Sequence, residues 1–313
     1  MEMSNQTTMT EFLLLGFSDV RELQILHFIM FLMTYLAALV GNGLIIMVVC
    51  LNHHLHTPMY LFLVNLSLLD IGCISVAIPK SMANSLQNTR LISYSGCVTQ
   101  VFLYLAFAAA EVTLLTVMAY DRYIAICQPL HYERVMNRGA CAHMATGSWI
   151  AGIVYSTLHT GSSFSSPFCQ SNVINQFFCE IPLLLMLTCP DSIHSGALPL
   201  GLGGFLVLSC FVFIIASYVQ ILKTVLRIPS EQGRQKALST CLPHLTVVSL
   251  FVCTGTFARL QPTSMSASHL PLVVGVLYAV VPPVMNPVIY SMRNKEIKAA
   301  LKKLLVSKLF AKN

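Results

Sequence analysis

Seven stretches of this chain stay apolar for about 20 residues each, at roughly 26–50, 58–82, 97–122, 141–161, 197–222, 237–260 and 271–291. A run of that length matches the hydrocarbon thickness of a bilayer. Inside lipid every backbone amide needs a partner within the protein, and uninterrupted runs of this kind meet that demand as helices. The rest of the composition agrees, because 56% hydrophobic and 10% charged residues are too apolar for a water-soluble domain. The prediction is an all-α membrane protein, a seven-helix transmembrane bundle over 26–291 with a polar segment on either side.

Charge orients it. The net charge of +6 would invite a nucleic-acid partner if it were gathered on one face, but it is sorted by loop instead. Arg122, Arg134, Arg138, Lys223, Arg227, Arg234, Lys236 and the lysines of the tail fall on alternate connections, against only Arg21, Lys80, Arg90 and Arg259 on the other side. This is the positive-inside bias. It predicts residues 1–25 outside the cell, 292–313 in the cytoplasm, and no nucleic-acid partner. Residues 1–25 lack a basic head and apolar stretch, so no removable signal peptide is expected there. Asn5-Gln6-Thr7 is a glycosylation sequon on the outer side, with Asn5 as acceptor. Asn65-Leu66-Ser67 fits the same pattern but lies within the second span. Ile297, Leu301, Leu304 and Leu305 recur at helical spacing among lysines, as in a short helix lying on membrane lipid.

Polar residues inside the spans mark function, because lipid penalises them. Asp70 in the second span and Glu111 in the third are acids facing the bundle interior. Two acids together cannot both ionise without a cation or a shared proton, and the sequence leaves both readings open. Asn42, between Gly41 and Gly43, can bond across a close helix contact. Trp149, the single tryptophan, sits mid-span and is expected to pack on a neighbour. Pro243 loosens the sixth span, and beside it His244 is either a satisfied core histidine or a switch. Asn286-Pro287 in the seventh span frees a backbone carbonyl that a neighbouring side chain must satisfy. His53, His54 and His56 cluster without an acid or cysteine, which makes a poor metal set. Cys97, Cys169, Cys179 and Cys189 lie on the outer side, where disulfides persist, and four cysteines permit three pairings.

Several strings resemble one family. Met118 to Tyr132 reads MAYDRYIAICQPLHY, Leu55 to Tyr60 reads LHTPMY, Lys236 to Leu245 reads KALSTCLPHL, and Pro282 to Lys295 reads PPVMNPVIYSMRNK. In this order and on these sides, they are similar to the rhodopsin-like (class A) G-protein-coupled receptors in their odorant-receptor form. Asp19 to Leu26 and the Leu242-Pro243 pair look closest to the fourteenth odorant-receptor family. The resemblance implies that Asp121, Arg122, Tyr123, Tyr218, His244, Asn286, Pro287 and Tyr290 form the switch that meets the G protein. It implies disulfides Cys97 to Cys179 and Cys169 to Cys189. It matches Asp70 to the superfamily's sodium-site aspartate, with Glu111 as the odorant receptors' second acid, so the cofactor is none or a sodium ion. Val252 stands where many members carry tyrosine.

The function implied is signal transfer rather than catalysis: a small volatile odorant binds among the outer halves of the spans, and a stimulatory olfactory-type G protein raises cyclic AMP. The expected lining is Tyr104, Leu105, Ala108 and Ala109 of the third span and Leu202 and Leu206 of the fifth. Val252, Gly255, Thr256 and Arg259 of the sixth, with Val276 and Ala279 of the seventh, complete it. Arg259 either snorkels to water or points inward to a carboxylate or carbonyl. A class A receptor for a small non-odorant metabolite is the nearest alternative. A channel or transporter predicts more polar facing helices or inverted repeats, and neither is present. The chain also lacks a phosphate loop, an HExxH zinc motif and a nucleophile elbow.

Overall fold

The computed structural model of the chain describes residues 10–169, 171–189, 193–259, 270–293, 296–300 and 302. Its frame is seven long helices: α1 (Arg21–Leu51), α2 (Pro58–Gln87), α3 (Tyr94–Cys127), α5 (Arg138–Ser165), α7 (Ile193–Leu226), α8 (Glu231–Arg259) and α9 (Leu270–Arg293). Two short helices, α4 (Tyr132–Val135) and α6 (Ile181–Leu187), lie in connections. Most of the helices outrun the apolar runs, because caps and turns, not hydropathy, stop them. Pro58 opens α2, where its missing N–H costs nothing. Ser93 and Asn137 cap α3 and α5, accepting from the amides of Gly96 and Ala140. Asn88 closes α2 in the left-handed conformation at φ 53°.

Six of the seven are apolar enough by composition to cross a bilayer. The helix that falls short is α5, as long as the rest at 28 residues. Its polar residues explain the difference: Ser148, Ser156, His159, Thr160 and Ser163 are all buried, turned into the protein rather than toward lipid. Ser156 donates to the Phe102 carbonyl of α3 at 2.5 Å. Gly152 has no room for a side chain against the Ala106 carbonyl, so the two helices meet backbone to backbone. The fourth span is therefore a polar-faced helix rather than the apolar run expected from its sequence.

α3 is the axis. Its residues Ala110, Leu114, Leu115, Met118 and Ala119 join residues of α1, α2, α5, α7, α8 and α9 in the largest core cluster. Ile297, in the helical stretch 296–300, is buried in that cluster, and Tyr60 of α2 donates to the Glu296 carboxylate at 2.6 Å.

The opposite end, which carries both disulfides, holds a three-stranded sheet. Strand β1 (Glu11–Leu14) lies between β2 (Leu91–Ser93), antiparallel to it, and β3 (Val173–Ile174), parallel to it. Phe12 and Leu14 point into a cluster with Ile92, Cys97, Ile181 and Leu184. The polar segment 1–25 of the sequence reading thus contains the central strand of a small sheet from residue 11 onward. Asn5 lies outside the described residues.

Candidate functional site

Three groups of residues lie along the bundle. At the end away from the disulfides, Arg122 is buried with Asp121, Nη2 to Oδ2 3.4 Å. The Asp121 carboxylate is held from the other side by the Tyr132 hydroxyl of α4 at 2.8 Å. Burial and the Asp121 charge push the Tyr132 phenol up, so it stays a donor throughout the physiological range. Tyr123, one residue further, packs with Ile221, Val225 and Cys241 between α3, α7 and α8.

His244 joins the same three helices. Its Nδ1 lies 2.7 Å from the Tyr218 hydroxyl of α7, and its Nε2 lies 3.0 Å from the Leu115 carbonyl of α3. A carbonyl only accepts, so Nε2 carries the proton and Nδ1 accepts from Tyr218. Both ring nitrogens of this buried residue are satisfied. This is the satisfied core histidine of the two readings, and its fully bonded ring ties α8 to α3 and α7.

The middle group contains both acids. Asn286 donates from Nδ2 to Asp70 Oδ1 at 3.0 Å and Oδ2 at 3.1 Å, and lies 3.5 Å from Glu111 Oε1. All three residues are buried. Asn42 donates at 2.9 Å to the carbonyl of Pro283, the group that Pro287, four residues on, leaves without its helical partner. The partner demanded by the seventh-span proline is thus an asparagine of α1. Gly41 makes the approach feasible, since a Cβ there would meet Pro287 at 3.1 Å. Asn42 Oδ1, Asn286 Oδ1 and the Tyr290 hydroxyl remain buried without a partner among the described residues.

The third group lies toward the disulfides. Tyr104, Ala108, Val276 and Ala279 come together in one cluster, the part of the expected lining that the fold assembles. The rest diverges. Leu105 packs against the cluster of Cys97, Val101 and Ile181 instead, a turn of about 100° around α3 from Tyr104, and Ala109 is half-buried outside both. Leu202 and Leu206 do not join this cluster: both are more than half exposed, on the flank of a stripe formed by Gly203, Ile214, Ser217, Ile221 and Val225. Gly203 fixes that register, because its bare Cα receives the His159 ring of α5. Val252 belongs to the large core of α3 rather than to the Tyr104 cluster. Gly255 is half-buried with nothing within 4 Å of a would-be Cβ, and Thr256 is exposed. The Arg259 side chain lies outside the described residues.

Three aromatic residues absent from the expected lining complete this cluster. Phe178, tilted, and Tyr278, edge-on, pack around Tyr104 with ring centroids at 5.4 and 5.8 Å, and the Phe177 ring lies 4.7 Å from that of Phe178. The loop that carries the two phenylalanines is fastened down by disulfide Cys97–Cys179, with Cα atoms 5.7 Å apart. Ser81 donates to the Phe177 carbonyl at 3.1 Å. Gln100 of α3 accepts from the Cys179 amide at 2.9 Å while donating to the Val76 carbonyl at 3.1 Å. Gly275 of α9 has no Cβ because the Gln176 amide rests on it. The second disulfide, Cys169–Cys189, closes the same loop. The sequence signal for this lid was Phe177-Phe178 directly before a cysteine that anchors to the outer end of α3.

Trp149 donates from Nε1 to Asn65 Oδ1 at 3.0 Å and meets the Phe107 ring edge-on, the neighbour contact expected of it. The three inner-loop histidines form no metal set, and among the described residues no group of three ligating side chains does.

A seven-helix membrane bundle with an Asp-Arg-Tyr helix end, a last helix carrying three internal prolines and a disulfide-pinned loop over its mouth defines a rhodopsin-like receptor. The fold is similar to the crystal structure of squid rhodopsin, with TM-score 0.67 over 94% of this chain and 88% of that one at 15% identity, a likeness of fold alone. The olfactory receptor family profile matches residues 31–308. The chain is 52% identical to human olfactory receptor 14I1 over 308 residues, 98% of this chain and 99% of that one. To human olfactory receptor 14A16 it is 51% identical over 310 residues, 99% of this chain and 100% of that one. The chain belongs to the olfactory receptor family of G-protein-coupled receptors, and its likeness of about 50% to receptors of the fourteenth family agrees with the resemblance read from Asp19 to Leu26 and the Leu242-Pro243 pair. It is a multi-pass membrane protein that answers an odorant through a G protein, and it is not an enzyme.

Proposed function

We propose that this receptor binds a small volatile odorant beneath the Phe177-Phe178 lid and, when occupied, activates a stimulatory olfactory-type G protein to raise cyclic AMP. The observation that carries the reading is the buried Arg122, held by Asp121 beside the His244 junction of α3, α7 and α8. A guanidinium in such a place is costly to bury even when paired, and keeping it there fits a group that is used in a second state. A ligand with higher affinity for the state in which α8 leaves α3 frees Arg122 for the partner. The disulfide end faces outside and the Arg122 end the cytoplasm, in line with the loop charges, and Asn5 carries the glycan.

The cavity side is mainly apolar, with the phenols of Tyr104 and Tyr278 as its polar points, together with Arg259 if it turns inward. Burial at about 25 cal/mol per Å2 gives a small odorant a few kcal/mol, which sets affinity near the micromolar scale. The carboxylate oxygens of Asp70 and Glu111, drawn to one place by Asn286, suit a sodium ion, and a shared proton between the two acids is the other way to neutralise them. Arg122→Ala tests the central claim: it reaches the cell surface and raises no cyclic AMP with any member of a volatile library that activates the unmodified receptor. Normal signalling from that variant would remove it.

A further inference from the structure

Glu180 follows the lid cysteine and directly precedes α6, where an acidic side chain ordinarily turns back to the open amides of the first turn. It does not do so here, since no side-chain bond caps α6. The backbone shows where the carboxylate goes instead. Glu180 is extended, at φ −128° and ψ 139°, so successive side chains leave the chain on opposite sides. Cys179 before it is bonded to Cys97, and Ile181 after it packs in the same cluster beside the small sheet. Phe178 points the other way, into the Tyr104 cluster, and Glu180 shares its side. The residue is fixed at both ends, because Gln100 holds the Cys179 amide and the Glu180 carbonyl accepts from the Leu184 amide at 3.1 Å.

Two further observations agree with that direction. Glu180 Oε1 is sealed from solvent, and the Glu180 charge reaches the Tyr104 phenol. The acid therefore belongs with the aromatic group around Tyr104, whose ring has Phe178 at 5.4 Å and Tyr278 at 5.8 Å. A carboxylate only accepts hydrogen bonds, and aromatic faces attract a cation within about 6 Å of their centres. A neutral odorant cannot supply the charge that such a set calls for. An aliphatic amine supplies it, because at neutral pH its nitrogen is a cationic N–H donor on an apolar body. Charge-assisted bonds of this kind are about twice as strong as neutral ones, and they gain further where water is kept out.

We propose that Glu180 sets the odorant class of this receptor, and that the class is small aliphatic amines bound as their ammonium ions. The inference rests on the reading that the odorant lies beneath the lid, and it adds the charge that this ligand carries. The ammonium N–H donates to the Glu180 carboxylate, the adjoining carbons lie on the rings of Tyr104 and Tyr278, and the apolar body extends along Phe178, Val276 and Ala279.

The test compares pairs of volatiles of equal shape and different charge on cells expressing the full-length receptor. N,N-dimethylcyclohexylamine is set against isopropylcyclohexane, and cyclohexylamine against cyclohexanol, with cyclic AMP read per receptor at the cell surface. Each amine is expected to be more potent than its neutral partner by about tenfold or more, the worth of one charge-assisted bond. Glu180→Gln, of the same shape, should erase the difference by weakening the amines alone, and Glu180→Asp should keep it. Where Glu180→Gln does not reach the surface, Glu180→Asn against Glu180→Asp makes the same comparison. The proposal falls if the amines have no advantage on the unmodified receptor, or if their advantage survives Glu180→Gln. It also falls if Glu180→Gln weakens both members of each pair equally, which would assign the carboxylate to holding the lid. As long as neutral odorants activate, such results leave the odorant reading standing; a receptor silent to a whole volatile library at normal surface density loses both.

Discussion

Replacing His244 by Phe keeps the aromatic volume and deletes two hydrogen bonds, from Tyr218 at 2.7 Å and to the Leu115 carbonyl at 3.0 Å. Both bonds cross helix boundaries, and the second ties α8 to α3, the pair that must part if Arg122 is to be uncovered. A typical bond of this kind contributes about 1 kcal/mol net, so the two bias the resting state by about 2 kcal/mol. That is about a thirtyfold change in the equilibrium between resting and active forms. A receptor active about 1% of the time without ligand would become active about a fifth of the time. The assay is basal cyclic AMP per receptor at the cell surface, with no agonist present. The rise should vanish in the double variant His244→Phe with Arg122→Ala, because the signal leaves through the arginine. Unchanged basal output at normal surface density would show that the His244 junction does not bias the equilibrium, and the reasoning would fail there.

Asp70→Asn and Glu111→Gln should each change signalling and abolish any dependence of agonist potency on sodium; a sodium-independent unmodified receptor refutes the ion version and leaves the shared proton. Gln100→Leu leaves the buried Cys179 amide without its partner, at about 1–3 kcal/mol, so agonist potency or surface yield should fall, and a receptor indistinguishable from the parent would show the lid held by its disulfide alone. Arg259→Gln, tested against the best acidic and the best neutral agonist, should selectively weaken the acidic one if the guanidinium turns inward, and equal losses assign it to water.

How much of this was legible beforehand follows from what lipid does and does not penalise. Span lengths could be read because bilayer thickness converts composition into a residue count. The meeting of Asp70 with Glu111 could be read because an acid in lipid must find a partner, and the need for a partner at the carbonyl freed by Pro287 could be read for the same reason. Strand β1 could not: four residues are too short for a period, and its partners lie near residues 92 and 173. The pairing of four cysteines was open on spacing alone and was closed by family likeness. The facing of apolar side chains was the least accessible part, since lipid tails are as apolar as leucine. Nothing in Leu202 or Leu206 states whether it meets α3 or the membrane, and Leu105 differs from Tyr104 only by an angle that needs the neighbouring loop to give it meaning. Orientation in such helices is recorded instead by small and polar residues, which are costly when turned the wrong way. Gly203 receiving His159, Gly152 against Ala106, Gly41 against Pro287 and Gly275 beneath Gln176 each fix one face of one helix. A lining drawn from those four contacts outward would have begun with Phe178 and Tyr278 rather than with the exposed α7 leucines.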